Sequence, residues 1–415
     1  MVLSIKNVGR FYKEANIEIN GITIIAGENG TGKSTLGKAL YCIFNSFYDI
    51  NHKARAMRIN SIRIKLSNAL VTLSRESRVN VGRLARIIVD HENKLMKKET
   101  ILEVLQTNEY PLEELDDQEA NVLVADIIKT LETEENEIIN RVVERVFSRK
   151  FGGQLQHVNH TDEKSVISTY IKGAVITIED NFEAEFAVEQ YLPLKKDIIY
   201  IDDEYSLESN INLFNNLSSY QDSLNDKIVL KKKDNGDVIG DILSEERYKR
   251  IIERMNNARI GELIRDKRGD FEYKEYGLNK SIRIENVSSG TKIMVLIKQI
   301  LLNGYLEDNG IMVLDEPEIH LHPEWQKILA EIIVLMQVEF NMNILISTHS
   351  SDFVAFIQYY SKINNISGLN KAYLIENGEE ENTSEIKEVT ENIDEIYKML
   401  GEPFINVSGE LSYES

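Results

Sequence analysis

The chain predicts an α/β fold, a mixed-sheet core interrupted by a helical insertion. Three observations carry this. The β-branched run Ile22–Ala26 leads into Gly27-Glu28-Asn29-Gly30-Thr31-Gly32-Lys33-Ser34-Thr35, after which Leu36, Ala39, Leu40 and Ile43 recur at helical spacing. A second apolar run, Ile311–Leu314, ends in the carboxylates Asp315 and Glu316. Between them, residues 46–165 read as helical. Asp315 lies 281 residues beyond Ser34, so the halves of a site built from both bracket most of the chain.

The first half matches G-x-x-x-x-G-K-[ST] at every fixed position. Strand, glycine loop and helix come in the order that phosphate binding needs. Gly27, Gly30 and Gly32 let backbone N–H groups turn inward around phosphate oxygens, beside Asn29 and Thr31, and the helix N-terminus adds partial positive charge. Lys33 is placed to reach the β- and γ-phosphates, Ser34 to ligate Mg²⁺, and Thr35 to close the loop.

The second half supplies acids. Asp315 ends a buried strand, where it can hold the Mg²⁺ shell, and Glu316 stands one residue further, where it can polarise a water. Ser288-Ser289-Gly290-Thr291 opens an apolar helix, and such a helix start can hold an anion. A third strand, Ile344–Thr348, ends in His349, a candidate γ-phosphate contact.

Together, Gly27–Thr35, Ser288-Ser289-Gly290, Asp315-Glu316-Pro317 and His349 resemble the ABC-type ATPases. The run Asp315-Glu316-Pro317-Glu318-Ile319-His320-Leu321-His322-Pro323 is similar to the DEPE-x-HLHP form of Walker B. That form is typical of the soluble branch holding the RecF, structural-maintenance-of-chromosomes and overcoming-lysogenization-defect proteins, including ATPases of anti-phage systems such as Septu and PARIS. The resemblance covers roughly the first 45 residues and roughly 270–355, with all four motifs in order. It implies an ABC-type P-loop NTPase with a mixed β-sheet core and a helical insertion between Walker A and the signature motif. ATP and Mg²⁺ are the cofactors so implied, with Lys33, Glu316 and His349 catalytic. Ser288 and Gly290 would touch the γ-phosphate held by a second copy, in a head-to-tail dimer or a higher oligomer. The signature reads Ser-Ser-Gly-Thr rather than Ser-Gly-Gly-Gln, and His322 stands where many ABC proteins carry an aspartate. A Q-loop glutamine has no clear counterpart; Asp202, after Ile198–Ile201, is the nearest substitute.

Composition narrows the setting. No run approaches the ~20 apolar residues of a membrane span. Met1–Lys6 reads as a strand rather than a secretory signal. Cys42 is the only cysteine, which predicts a packing role and a cytoplasmic protein. A net charge of −20 argues against a generally DNA-coating surface. The charge is polarised, with 12 Lys/Arg against 4 Asp/Glu in residues 51–100 and 5 against 13 in 101–150. Three readings of the basic half stand: a solvated face paired with the acidic half, a nucleic-acid arm built from Lys53, Arg55, Arg58, Arg63 and Lys65, or a docking face for an acidic partner.

Along the chain, residues 1–45 read as the N-terminal part of the core, 46–165 as the helical insertion, and 166–225 as a return to the core. Residues 226–285 follow as a lid or linker, 286–378 as the C-terminal part of the core, and 379–415 as an acidic helix and tail. In the insertion, Ile62, Leu66, Leu70 and Leu73 share a helical period, as do Val122, Ile127, Leu131, Ile138 and Val142 less strictly. Asp234–Asp237 is a turn signal. Ile386, Val389, Ile393, Ile396 and Leu400 give the tail its helical spacing. His157 and His160 read as a surface loop rather than a metal pair, and no nuclease motif is recognisable. An effector, such as a nuclease or toxin, would then be a separate polypeptide. The leading expectation is a switch ATPase controlling such a partner in bacterial defence. The alternative is a RecF-like DNA-repair ATPase, and behind it a transporter's ATPase subunit.

Overall fold

The computed structural model describes residues 1–71, 79–91, 97–171, 173–180, 186–190, 192–202, 223–232, 238–267 and 269–401. Leu73, the 234–237 turn and the last residues of the tail lie outside the described residues. The chain divides into two compact units, Met1–Asn45 with Val146–Leu192 and Lys196–Ser415, and Ser46–Arg145 with Pro193–Lys195.

The larger unit is built on a six-stranded sheet. Its strand order is Ser384–Glu388, Lys371–Asn377, Ile22–Gly27, Asn343–Thr348, Ile311–Asp315 and Ile198–Ile201. The last five run parallel, and Ser384–Glu388 pairs antiparallel at one edge, so the sheet is mixed. Strands buried on both faces need near-continuous apolar runs, and Ile22–Gly27 is buried at all six positions. The register sets Asp315 beside Ser347 and Thr348 beside Ala26. The ends of Ile22–Gly27, Asn343–Thr348 and Ile311–Asp315 therefore meet on one edge of the sheet.

The Ser289–Leu302 helix packs into the same core through Ile293, Met294, Leu296, Ile297 and Ile300, together with Ile333, Met336 and Phe340 of the Pro323–Phe340 helix. Its buried Lys298 donates to Asn256 Oδ1 at 2.7 Å and to the carbonyls of Ile260 and Gly261. Burial holds that ammonium below the ordinary lysine range, and the three acceptors offset the cost of desolvation. A second sheet, antiparallel, runs in the order Ala15–Glu18, Val2–Lys6, Ser165–Ile171, Ala174–Asp180 and Phe186–Gln190. A small third sheet joins Glu262–Arg265, Phe271–Lys274 and Ile282–Arg283.

One expectation is corrected here. The segment read as the start of a C-terminal helix is the strand Ser384–Glu388, registered on Lys371–Asn377. Ile386 is the one apolar residue of this segment, and pairing with an otherwise open strand edge wins over the helical spacing. Charged Glu385, Lys387 and Glu388 then blunt the new edge. Val389 and Ile396 beyond it are buried.

The smaller unit is helical, with Ile50–Val71, Val81–Asp90, Lys98–Thr107 and Asp117–Glu132 around a separate core. Ile62, Leu66, Leu84, Ile88, Ile101, Leu105, Val124 and Ile127 fill it, while Val122 is exposed. The last of these helices starts at a full capping box, Asp116 with Glu119, which satisfies two otherwise orphan N–H groups. The Tyr110 hydroxyl donates to the Leu66 carbonyl at 2.8 Å, and burial pushes the phenol up to about 12.

Candidate nucleotide site

The loop after Ile22–Gly27 closes on itself. Gly30 and Gly32 take φ of +78° and +94°, a left-handed backbone that side chains other than glycine rarely adopt. At Gly32 space is short as well, since a Cβ there would stand 3.0 Å from the Phe11 ring. The buried Thr31 hydroxyl donates to the Glu28 carbonyl at 2.9 Å, and Thr35 N–H to the Gly32 carbonyl at 3.0 Å. Asn29 is exposed at the tip. The Lys33 ammonium is buried and donates to the carbonyls of Gly27 (2.9 Å) and Glu28 (2.8 Å).

The acids arrive from the Walker B strand. Ser34 Oγ donates to Asp315 Oδ1 at 3.0 Å, and the Ser347 hydroxyl donates to the same oxygen. Tyr200 Oη donates to Asp315 Oδ2 at 3.5 Å. Burial pushes the Tyr200 phenol well up, and the Lys150 ammonium lies 4.1 Å over its ring. Glu316 follows with φ of +50°, a strained conformation for this residue, held by its N–H to the Ser347 carbonyl at 3.0 Å. Its carboxylate stands between the Lys33 ammonium, with Nζ at 3.3 Å, and the His349 imidazole, with Nδ1 at 3.5 Å.

Lys33, Ser34, Asp315, Glu316 and His349 are thus brought together in one place. Ser288 and Gly290 face other neighbours. Gly290 is buried so closely on the turn after Walker B that a Cβ would meet Leu321 Cδ2 at 2.6 Å and the His320 carbonyl at 2.8 Å. Exposed Ser288 bonds Thr291 Oγ1 at 2.8 Å, at the start of the Ser289–Leu302 helix. His322 is the N-cap of Pro323–Phe340, accepting from Glu324 N–H at 3.3 Å. Asp202 pairs with Lys150 at 2.7 Å. His157 is buried against the Asn382 carbonyl at 3.1 Å, and His160 stacks on Tyr12 at 3.6 Å, so neither is a simple surface-loop residue.

Four neighbours of the site escaped the sequence reading. Arg10 donates through Nη1 to the Gly30 carbonyl at 2.9 Å and through Nη2 to Asn377 at 3.1 Å. A lone arginine in a turn between two strands gives no periodic signal. Tyr200 and Ser347 lie inside the apolar strands read as structural, and Glu318 inside the Walker B motif.

The donor set suits its expected ligands. Gly-rich backbone at a helix N-terminus beside a lysine fits polyphosphate. The hydroxyl of Ser34 and the carboxylate of Asp315 are hard oxygen donors that fit Mg²⁺, which takes one or two protein oxygens plus phosphate. Among the described residues no group of three or more His, Cys, Asp or Glu side chains is placed to hold a metal by itself, as suits an ion bound with its nucleotide.

The strand before the phosphate loop, the strand ending in Asp315 and, between them, the strand that runs into His349 form the mixed-sheet core of a P-loop ATPase fold. The chain belongs to the AAA ATPase domain family, whose model matches residues 1–354. Among solved structures it is similar to an Smc head bound to the C-winged helix domain of ScpA, at 13% identity over 93% of this chain and 96% of that one, with a TM-score of 0.43. The SMC head domain from Thermotoga maritima matches at 10% identity over 94% and 98%, with a TM-score of 0.38. Among the described residues no helix is long and apolar enough to cross a membrane.

Proposed function

We propose that the chain hydrolyses ATP with Mg²⁺ and uses the nucleotide state as a switch over a partner effector, in the bacterial cytoplasm, as part of defence against phage. The observation that carries the ATPase reading is the Glu316 carboxylate held between Lys33 and His349, beside the Ser34–Asp315 pair. In this reading the loop amides and Lys33 bind the β- and γ-phosphates, and Ser34 and Asp315 hold Mg²⁺, which would neutralise phosphate charge. Glu316 orients and deprotonates the attacking water, and His349 faces the γ-phosphate.

Ser288 and Gly290 complete the site of a second copy, head to tail. The support is geometric: Gly290 presses the helix start onto His320 and Leu321, leaving Ser288 exposed. The effector, a nuclease or toxin, is a separate chain, because the motifs recognised here carry no second chemistry. The test is the mass of the Glu316→Gln chain with and without ATP. A nucleotide-dependent dimer supports the switch, and one mass throughout overturns it.

A second reading, a nucleic-acid-binding repair ATPase, is favoured by one feature of the helical unit. A groove of about 520 Å³ is lined by His52, Arg55, Asn60, Arg63, Gly82 and Arg86. Arg58 and Lys65 are turned elsewhere, to the Thr133 carbonyl and to Asp126. Reversing Arg55, Arg63 and Arg86 to Glu would abolish a salt-sensitive DNA or RNA shift if this reading holds. An unchanged shift, or none in the parent, removes it.

A further inference from the structure

Behind Walker B the chain must turn, and the turn aims a third carboxyl inward. Glu316 and His320 take φ of +50° and +65°, and Ile319 and Leu321 N–H groups close on the carbonyls of Glu316 (3.2 Å) and Glu318 (3.1 Å). Glu318 is left 2% exposed. Its Oε1 accepts from the Thr348 hydroxyl and, at 3.4 Å, from His349 N–H. Its Oε2 is buried without a hydrogen-bond partner. A buried polar atom left unpaired is uncommon and points to a role that offsets its cost.

The other side of the contact explains what that role is. Thr348 ends the Asn343–Thr348 strand, and Ser350 caps the Ser351–Ile363 helix by accepting from Phe353 N–H at 3.2 Å. His349 is the single residue between them. The Thr348 hydroxyl relays the tie, donating to Glu318 while accepting from Ser350 N–H at 3.0 Å. Gln326 braces the same corner, donating to the Leu321 carbonyl at 3.1 Å and accepting from the Ser350 hydroxyl at 3.5 Å.

We propose that Glu318 is the positioning residue of His349, its carboxyl clamping both peptide flanks of that histidine so that the imidazole stands against Glu316. This rests on the ATPase reading for its consequence, not for its geometry. Burial raises the Glu318 carboxyl above the ordinary glutamate range, with the Thr348 hydrogen bond opposing. An isosteric glutamine keeps the accepting oxygen, and alanine removes it.

The first test needs neither nucleotide nor turnover. Histidine ¹⁵N NMR on the full chain, with His349 assigned by its loss in His349→Ala, follows seven histidines. Glu318→Gln should leave the His349 signals in place. Glu318→Ala should move or broaden them alone, and Thr348→Val, which removes the relay, should do the same if the alanine variant does not fold. Unmoved His349 signals in these variants, or a shift of all seven together, overturns the proposal. The second test is epistasis in turnover. Glu318→Ala should lower kcat about ten- to a hundredfold with KM within about twofold, and add nothing in a His349→Ala background. Losses that multiply overturn it. A wild-type chain without hydrolysis refutes the ATPase reading instead, and the NMR arm still decides the clamp.

Discussion

The hydroxyl of Ser34 donates to Asp315 Oδ1 at 3.0 Å across 281 residues of chain. Two hard oxygens from segments far apart in the sequence are thus in contact, as the proposed Mg²⁺ site would require. Ser347 and Tyr200 hold the other lone pairs of Asp315, so the carboxylate has little freedom to rotate.

Ser34→Ala removes one of those oxygens and leaves the loop backbone intact. The Mg²⁺ concentration for half-maximal nucleotide binding should rise about tenfold or more, while binding without Mg²⁺ changes little. A Mg²⁺ titration at fixed nucleotide checks this.

Glu316→Gln keeps the shape of the side chain and removes its charge. Phosphate release should fall about 10²–10⁴-fold with nucleotide affinity within a few-fold, as expected when a general base is lost. Turnover and calorimetric binding on the same preparation separate the two effects.

Gly290 and Ser288 should part company on substitution. Gly290→Ala forces a Cβ onto a backbone carbonyl at 2.8 Å, and a shift of the turn should cost about 1–3 kcal/mol in chemical unfolding. Ser288→Ala, at an exposed position, should leave stability within about 0.5 kcal/mol while weakening ATP-induced association.

Glu318 makes stability depend on pH. Its folded-state pKa is raised, chiefly by burial, so the native chain holds this proton above the ordinary glutamate range. Its contribution is fully present below the unfolded pKa of about 4.3 and is lost as pH rises toward the folded value, by at most about 1.4 kcal/mol per pH unit. Glu318→Gln removes that loss. The melting temperature of the variant relative to the parent should climb as pH rises above the unfolded pKa of about 4.3.

Much of the site was legible because its chemistry needs contiguous residues. A phosphate loop must place its glycines, lysine and serine within one short segment, here Gly27–Ser34, and the acids Asp315 and Glu316 follow directly on an apolar run. What sequence hid was what folding brings from elsewhere. Arg10 reaches Gly30 only because the turn after Val2–Lys6 lies beside the loop. The strand at Ser384–Glu388 was hidden because its one apolar residue, Ile386, fits the helical spacing of the tail, and only its neighbour Lys371–Asn377 makes it a strand. The basic run looked continuous, yet Arg58 and Lys65 point to internal partners while Arg86, from another helix, joins Arg55 and Arg63.

Sheet order also sets a timetable. The strand that carries the phosphate loop, Ile22–Gly27, is flanked by Asn343–Thr348 and Lys371–Asn377, made some three hundred residues later. At roughly 5–20 residues per second, the stretch from Ser34 to Asp315 alone takes roughly 14–56 s to synthesise. For that interval an apolar strand and a finished loop wait on the ribosome without their neighbours. An apolar strand left unpaired for so long is open to non-native pairing, and slow late translation should penalise this topology more than an early-closing one.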